Sequence, residues 1–133
     1  MTLVDTTVWI GLLRNQGSAQ VTRLRDLLHE GEAALAPVIA QEILQGASSE
    51  ENLARLRDHF LALPTLAPRN VAKTHAEAGA LYARCRWAGI TPRSPHDCLI
   101  AQTAIEYRMP LLHDDRDFER IAQVEPQLLL LRL

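Results

Sequence analysis

The short apolar runs of this chain are interrupted by acids at positions where a buried residue is expected, and few folds tolerate that pattern. Asp5 closes Leu3-Val4, and Glu42 breaks the helix-like Val38-Ile39-Ala40-Gln41-Glu42-Ile43-Leu44. Asp97 opens Cys98-Leu99-Ile100-Ala101, while Asp115 and Asp117 follow Pro110-Leu111-Leu112-His113. Carboxylates are rarely buried unless they are paired or bound to a metal. No arginine adjoins Asp5, Glu42 or Asp97 in sequence. If the fold gathers these acids, their repulsion calls for a cation, and an all-oxygen site favours hard divalent ions such as Mg2+ or Mn2+.

Each acid also has a purely structural reading. Ser94-Pro95-His96-Asp97 has the form of a helix start, in which Asp97 satisfies a backbone donor and offsets the helix dipole. Asp5 reads equally as the N-cap of a helix beginning at Thr6, and Asp114, Asp115 and Asp117 as caps of the helix that follows them. Glu42 reads as a solvated edge position. The acids argue for a site only as a set.

The chain alternates strand and helix. Thr2-Leu3-Val4-Asp5 reads as a buried strand, and Thr6 to Arg14 as a helix that Asn15-Gln16-Gly17 ends. Ser18 caps a second helix with Val21, Leu24, Leu27 and Leu28 at helical spacing, and Gly31 stops it. Ala33–Ala36 is a second strand, and Pro37 starts the helix that carries Glu42. A further helix opens at Ser49 with Leu53, Leu56, Phe60 and Leu63 on one face; Thr65-Leu66-Ala67 is extended. The helix from Asn70 to Trp87 has Val71, His75, Ala78, Tyr82 and Cys85 as its expected stripe. The helix from Pro95 to Met109 is apolar on most sides and so belongs at the centre. Leu111-Leu112-His113 and Leu128–Leu131 are strands flanking a short helix from Asp117. Strands separated by helices imply a parallel sheet covered on both faces, with sites at the carboxyl ends of its strands.

Length and composition narrow the classes. A chain of 133 residues, 47% hydrophobic and 23% charged, is expected to form one soluble domain over 1–133. Its net charge of -2 lacks the basic excess usual for nucleic-acid binders. Of the 14 basic residues, all are arginine except Lys73; Arg84, Arg86 and Arg93 cluster near one another and suit phosphate contacts. Cys85 and Cys98 have no metal spacing and read as reduced, partly buried thiols. The amino terminus does not have the form of a signal peptide, and no apolar run suffices to cross a bilayer, so a cytoplasmic location is expected. His75 reads as a core histidine, His29 and His59 as surface groups, and Trp9 and Trp87 as core or interface aromatics.

Leu3-Val4-Asp5-Thr6-Thr7-Val8-Trp9-Ile10, Glu42-Ile43-Leu44-Gln45-Gly46, Asp97-Cys98-Leu99-Ile100-Ala101 and Leu111-Leu112-His113-Asp114-Asp115-Arg116-Asp117-Phe118-Glu119-Arg120-Ile121 together resemble the PIN-domain ribonucleases. Within them the likeness is greatest to the VapC toxins of toxin–antitoxin pairs, and it spans essentially the whole chain. The resemblance implies a three-layer α/β/α domain with a short, mostly parallel central sheet. It implies a metal-dependent endoribonuclease that cuts tRNA, rRNA or mRNA and is neutralised by a VapB-like antitoxin, which lays a segment across the acidic cleft and offers it an arginine. A homodimer, joined through apolar faces near the early helices, is expected on the same ground.

By position, the resemblance makes Asp5, Glu42, Asp97 and Asp115 the catalytic acids. Asp5 and Asp97 are the expected direct ligands of Mg2+ or Mn2+, Asp115 and Asp117 complete the shell, and Thr6 and Thr7 support the first acid. His113 departs from the Thr or Ser common in relatives, which leaves open which of Asp114, Asp115 and Asp117 finishes the shell. Two bound divalent ions would carry the formal charge from about -2 to about +2, favourable for RNA. Two other classes compete. A phospho-receiver domain also places acids at strand ends, but it needs a late-strand lysine, and Lys73 falls inside a helix. A non-catalytic RNA- or metal-binding module would keep the acids without turnover.

Overall fold

The computed structural model describes residues 1–133. Its centre is β1 (Thr2–Val4), flanked in a three-stranded parallel sheet by β2 (Ala33–Ala34) and β3 (Leu111–Leu112), in the order β2-β1-β3. Leu3 pairs with Ala34 on one side and with Leu111 on the other. All six apolar residues at these strand positions are essentially inaccessible, as burial on both faces of a parallel sheet requires. The strand expected at Ala33–Ala36 is shorter than that. Leu35 goes on to form a single parallel bridge with Thr65, and Leu111 forms another with Leu130. The extended pieces expected around Thr65 and Leu128–Leu131 therefore survive only as isolated bridges at the two edges.

Seven helices surround the sheet: α1 (Thr6–Leu13), α2 (Ala19–Glu30), α3 (Pro37–Gln45), α4 (Glu50–Leu61), α5 (Val71–Trp87), α6 (Pro95–Tyr107) and α7 (Arg116–Val124). Their ends obey local chemistry. Ser18, Ser49, Asn70 and Ser94 each cap a helix by accepting from a backbone N–H in its first turn. Gly31 ends α2 in the left-handed region at φ 72°, which glycine adopts without a Cβ penalty. α1 packs on both α2 and α3, and α3 on α4; α5 to α7 form a second group, and α3 meets α6 between them.

α6 is the central helix its composition predicts, with Cys98, Ile100, Ala101 and Ala104 in the core. The stripe of α5 differs from expectation. Its buried face is Thr74, Ala78, Leu81 and Cys85, while Val71 and His75 are exposed. Thr74 can face inward because its hydroxyl donates to the Glu106 carboxylate on α6 at 2.8 Å, so a polar residue takes an apolar slot. His75 is thus no core histidine; its Nδ1 lies 2.9 Å from Val71 O of its own helix. Trp87 is 78% exposed and belongs to no core, whereas Trp9 is fully buried. Trp9 Nε1 donates to Val4 O at 3.0 Å, and its ring meets Phe60 edge-on at 5.2 Å. Cys85 and Cys98 are free, buried and in mutual contact across α5 and α6. Burial pushes the Cys98 thiol up to about 12, so it stays protonated and packs as a small apolar group.

Candidate active site

β1 and β3 deliver the first and last acids to the same edge of the sheet. Asp5 leaves β1 and caps α1, its Oδ2 accepting from Thr7 N at 3.2 Å and from Thr7 Oγ1 at 2.6 Å. Thr7 Oγ1 also accepts from Asp114 N at 3.3 Å, so one hydroxyl ties the turn after β1 to the turn after β3. The capping reading of Asp5 is observed, and the same geometry brings it beside the turn that carries Asp114. Burial raises the Asp5 pKa, the Thr7 and Thr6 donors work against it, and the charge of Glu42 adds to it. Thr7→Val should remove both bonds and cost about 1–2 kcal/mol, while Thr7→Ser should keep them. Urea unfolding of the two variants measures the difference.

Glu42 is half-buried on α3, not a freely solvated edge residue. Its Oε1 accepts from Thr6 Oγ1 at 2.8 Å, and its Oε2 lies 3.7 Å from His96 Nδ1. Of the two threonines expected to support Asp5, the Thr7 hydroxyl bonds it, whereas the Thr6 hydroxyl bonds Glu42.

Asp97 behaves unlike a cap. Ser94 Oγ accepts from His96 N at 3.2 Å as a helix start requires, yet no hydrogen-bond donor of the protein meets the Asp97 carboxylate. It is buried in the first turn of α6 among other acids. Burial, then the charges of Asp5, Asp115, Asp117 and Glu42, lift its pKa from the usual 3.8 to about 7. The capping-box reading of Asp97 is not observed. A buried acid with like-charged neighbours and no donor is a group that fits a cation.

Asp115 caps α7, its Oδ1 accepting from Asp117 N at 2.9 Å. His113, half-buried against Phe118, holds the same turn: its Nδ1 accepts from Asp115 N at 3.1 Å, which directs Nε2–H toward Glu119 at 3.6 Å. Asp117 is fully buried. Burial acts to raise its pKa, but the Arg93 backbone and side-chain donors and the charges of Arg93 and Arg120 outweigh this and hold it below the usual value.

One carboxylate oxygen each from Asp97, Asp115 and Asp117 lie within 4.8 Å of one another. Asp5 and Glu42 fall outside that trio, although both act on Asp97 through their charge. An all-carboxylate donor set with a donor-free member fits a hard divalent cation. Asp114 is exposed and does not join it.

The arginines divide. Arg84 pairs with Glu125 at 3.4 Å, and Arg86 is exposed on the last turn of α5. Arg93, read from sequence as a phosphate contact, donates here through Nη2 to Asp115 Oδ1 at 2.7 Å and through Nε to Asp117 Oδ2 at 3.3 Å. Arg120 reaches Asp117 Oδ1 at 3.4 Å. The contact of Arg120 was legible as an i,i+3 pair on a helix; that of Arg93, 24 residues from Asp117, was not. Beside this acidic edge lies an apolar groove of about 760 Å³ between α3, α5 and α6, with His96 at its rim.

A parallel sheet with acids gathered at the carboxyl ends of β1 and β3 and at the start of α6 defines an α/β domain built around a carboxylate centre. Residues 2–124 match the PIN domain family, and the chain belongs to it. It is 38% identical over 126 residues to ribonuclease VapC11 of Mycobacterium tuberculosis, covering 93% of each chain. The same identity and coverage hold for VapC ribonuclease Mb1587 of Mycobacterium bovis. Among solved structures, the fold matches that of VapBC2 from Rickettsia felis with a TM-score of 0.74 at 20% identity, over 98% of this chain and 96% of that one. VapBC from Salmonella typhimurium matches with a TM-score of 0.72 at 24% identity, over 98% of both chains.

Proposed function

We propose that this protein is a VapC-type endoribonuclease toxin whose activity depends on Mg2+ or Mn2+ held by Asp97 and Asp115, with Asp5 and Asp117 supporting the shell. The observation that carries the reading is Asp97: a buried carboxylate, without a donor, facing four other acids. A divalent ion there would lower the pKa of a coordinated water and offset charge on the phosphoryl oxygens. The chain's own contribution is to fix the oxygens before substrate arrives. Thr7 holds Asp5, Thr6 holds Glu42, and His113 holds the turn of Asp115. Glu42 orients the attacking water or takes a second ion, and Arg86 contacts RNA phosphate.

The ribonucleases of this name at 38% identity support RNA as substrate. A cognate antitoxin is the proposed partner, since the fold is that of toxins found in VapBC assemblies. The apolar groove adjoining the acids suits a segment of such a partner. A homodimer remains part of the proposal, with exposed Leu13 at the end of α1 as one apolar element. No helix is long and apolar enough to cross a membrane.

The test is incubation of the antitoxin-free protein with tRNA, rRNA and mRNA in Mg2+ or Mn2+, beside an EDTA control. Discrete cuts that vanish with chelator are expected. Uncut RNA across the whole panel, with Mn2+ bound, would favour a non-catalytic module instead. Metal binding should also depend on pH. Ligands must be ionised to bind, and Asp97 takes up a proton near pH 7. Apparent Mn2+ affinity should therefore fall below pH 7, by up to about tenfold per pH unit, and level off above it. A flat profile in calorimetric titrations from pH 5.5 to 8.5 would remove Asp97 from the shell.

A further inference from the structure

The trio of Asp97, Asp115 and Asp117 already holds a cation on two of its members. The Arg93 guanidinium lies on Asp115 Oδ1 and Asp117 Oδ2, while Asp97 has no donor at all. Arg93 is held by these contacts alone: its side chain is 76% exposed, against 13% for Asp115 and 3% for Asp117. Its backbone is anchored separately, since Arg93 N donates to Asp117 Oδ2 at 2.9 Å. The side chain is therefore free to leave without unseating the loop that precedes α6.

We propose that Arg93 is the resident counter-cation of Asp115 and Asp117, that a divalent ion entering the acidic trio displaces its guanidinium, and that the released arginine then takes RNA phosphate.

The inference rests on the metal-dependent reading above and adds an exchange that couples metal loading to substrate binding. Three observations support it. The oxygens that Arg93 occupies belong to the same trio that converges within 4.8 Å, so a cation using Asp115 and Asp117 competes with it. A guanidinium brings one positive charge to a centre of three carboxylates, whereas a divalent ion brings two and bonds oxygen at shorter range. Finally, the cleft of about 610 Å³ around Arg93 has no hydrophobic lining and sets Arg116 and Arg120 beside Asp114, Asp115, Asp117 and Glu119. With a divalent ion bound, the ion and the three arginines of the cleft outweigh its four carboxylates, so a side chain leaving the acids then enters a setting suited to an anionic backbone. In the metal-free protein the same arginine makes the crowding of Asp115 and Asp117 tolerable. An exposed ion pair is weak and screened, which is what an exchangeable counter-ion needs.

Two measurements on the full chain test the exchange. In calorimetric titration with MnCl2 at pH 8, Arg93→Ala should bind Mn2+ more tightly than wild type, by on the order of 3- to 10-fold. Arg120→Ala, whose contact is longer, should change affinity less. Equal or weaker binding by Arg93→Ala overturns the exchange. On wild-type protein alone, the Arg93 Nε–H resonance should shift or broaden as MgCl2 is added, over the same range as the backbone amide of Asp97. If the Asp97 amide moves and Arg93 Nε–H does not, metal binding stands and the exchange falls. If neither moves and no Mn2+ heat is seen, the metal-dependent reading itself fails, and the exchange with it.

Discussion

Asp97→Asn is expected to lower RNA cleavage by more than about 100-fold, because even residues that only position metal ligands cost about 10- to 100-fold when lost. The amide keeps the size of the carboxylate and its place in the first turn of α6, so the loss reads out charge and ligation, not packing. In the same variant, Mn2+ binding should weaken to the limit of calorimetric detection. Retained cleavage within a few-fold of wild type would place the reaction elsewhere.

The same substitution should stabilise the metal-free protein, and the sign follows from the direction of the shift. The Asp97 carboxyl is raised from 3.8 to about 7, so the folded state binds its proton more tightly than the unfolded state. Below pH 3.8 the group is protonated in both states and costs nothing. Between pH 3.8 and 7 the penalty for ionising it in place grows, and above 7 it is constant. Asn carries no such penalty. At pH 8, without metal, Asp97→Asn should gain on the order of 1–3 kcal/mol once solvent access is allowed for, or about 3–8 °C in Tm. At pH 4 the two proteins should melt together. Saturating Mg2+ should raise the Tm of the wild type and leave the variant unmoved. A site that costs stability until its cation arrives is expected where function, not folding, placed the acids.

Trp9→Ala should have the largest effect on stability. The indole is fully buried, stacks edge-on against Phe60 and donates to Val4 O, so truncation leaves a cavity and strips that carbonyl of a donor. The expected loss is about 3–5 kcal/mol, a large share of the roughly 5–15 kcal/mol available to a domain. The urea midpoint should fall with little change in slope, and Trp9→Phe should lose less because only the hydrogen bond and part of the volume go. A loss below about 1 kcal/mol would mean that the space between α1 and α4 closes up around the gap. Because Val4 directly precedes Asp5, a loosened β1 should also weaken metal binding, which the same calorimetric titration would show.

The sequence was most informative where one local rule acts. The helix starts at Ser18, Ser49, Asn70 and Ser94 are fixed by side chains bonding N–H groups a few residues on, and the stop at Gly31 by a backbone only glycine adopts freely. The burial of α6 was legible because its residues are apolar on most sides. The buried stripe on α5 departs from its apolar pattern because Thr74 is paired with Glu106, 32 residues away, and that contact reverses the usual exclusion of a hydroxyl from the core. The edge strands are shorter than their apolar runs for a related reason. Apolar runs mark burial, but ladder pairing depends on how closely the neighbouring backbone approaches.

By itself the sequence determined that acids stand where apolar residues should, that strands alternate with helices, and that the motifs resemble those of PIN-domain ribonucleases. Those properties depend on residue type and spacing along the chain. Only the tertiary structure decided which acids converge. It set Asp97, Asp115 and Asp117 together, left Asp5 and Glu42 acting on Asp97 from outside, and gave Asp115 and Asp117 an arginine from a distant loop. The reason is physical: the pKa of a carboxylate and its ability to hold a cation depend on burial, donors and charges within a few ångströms. Sheet order and helix packing fix those surroundings, and spacing along the chain does not.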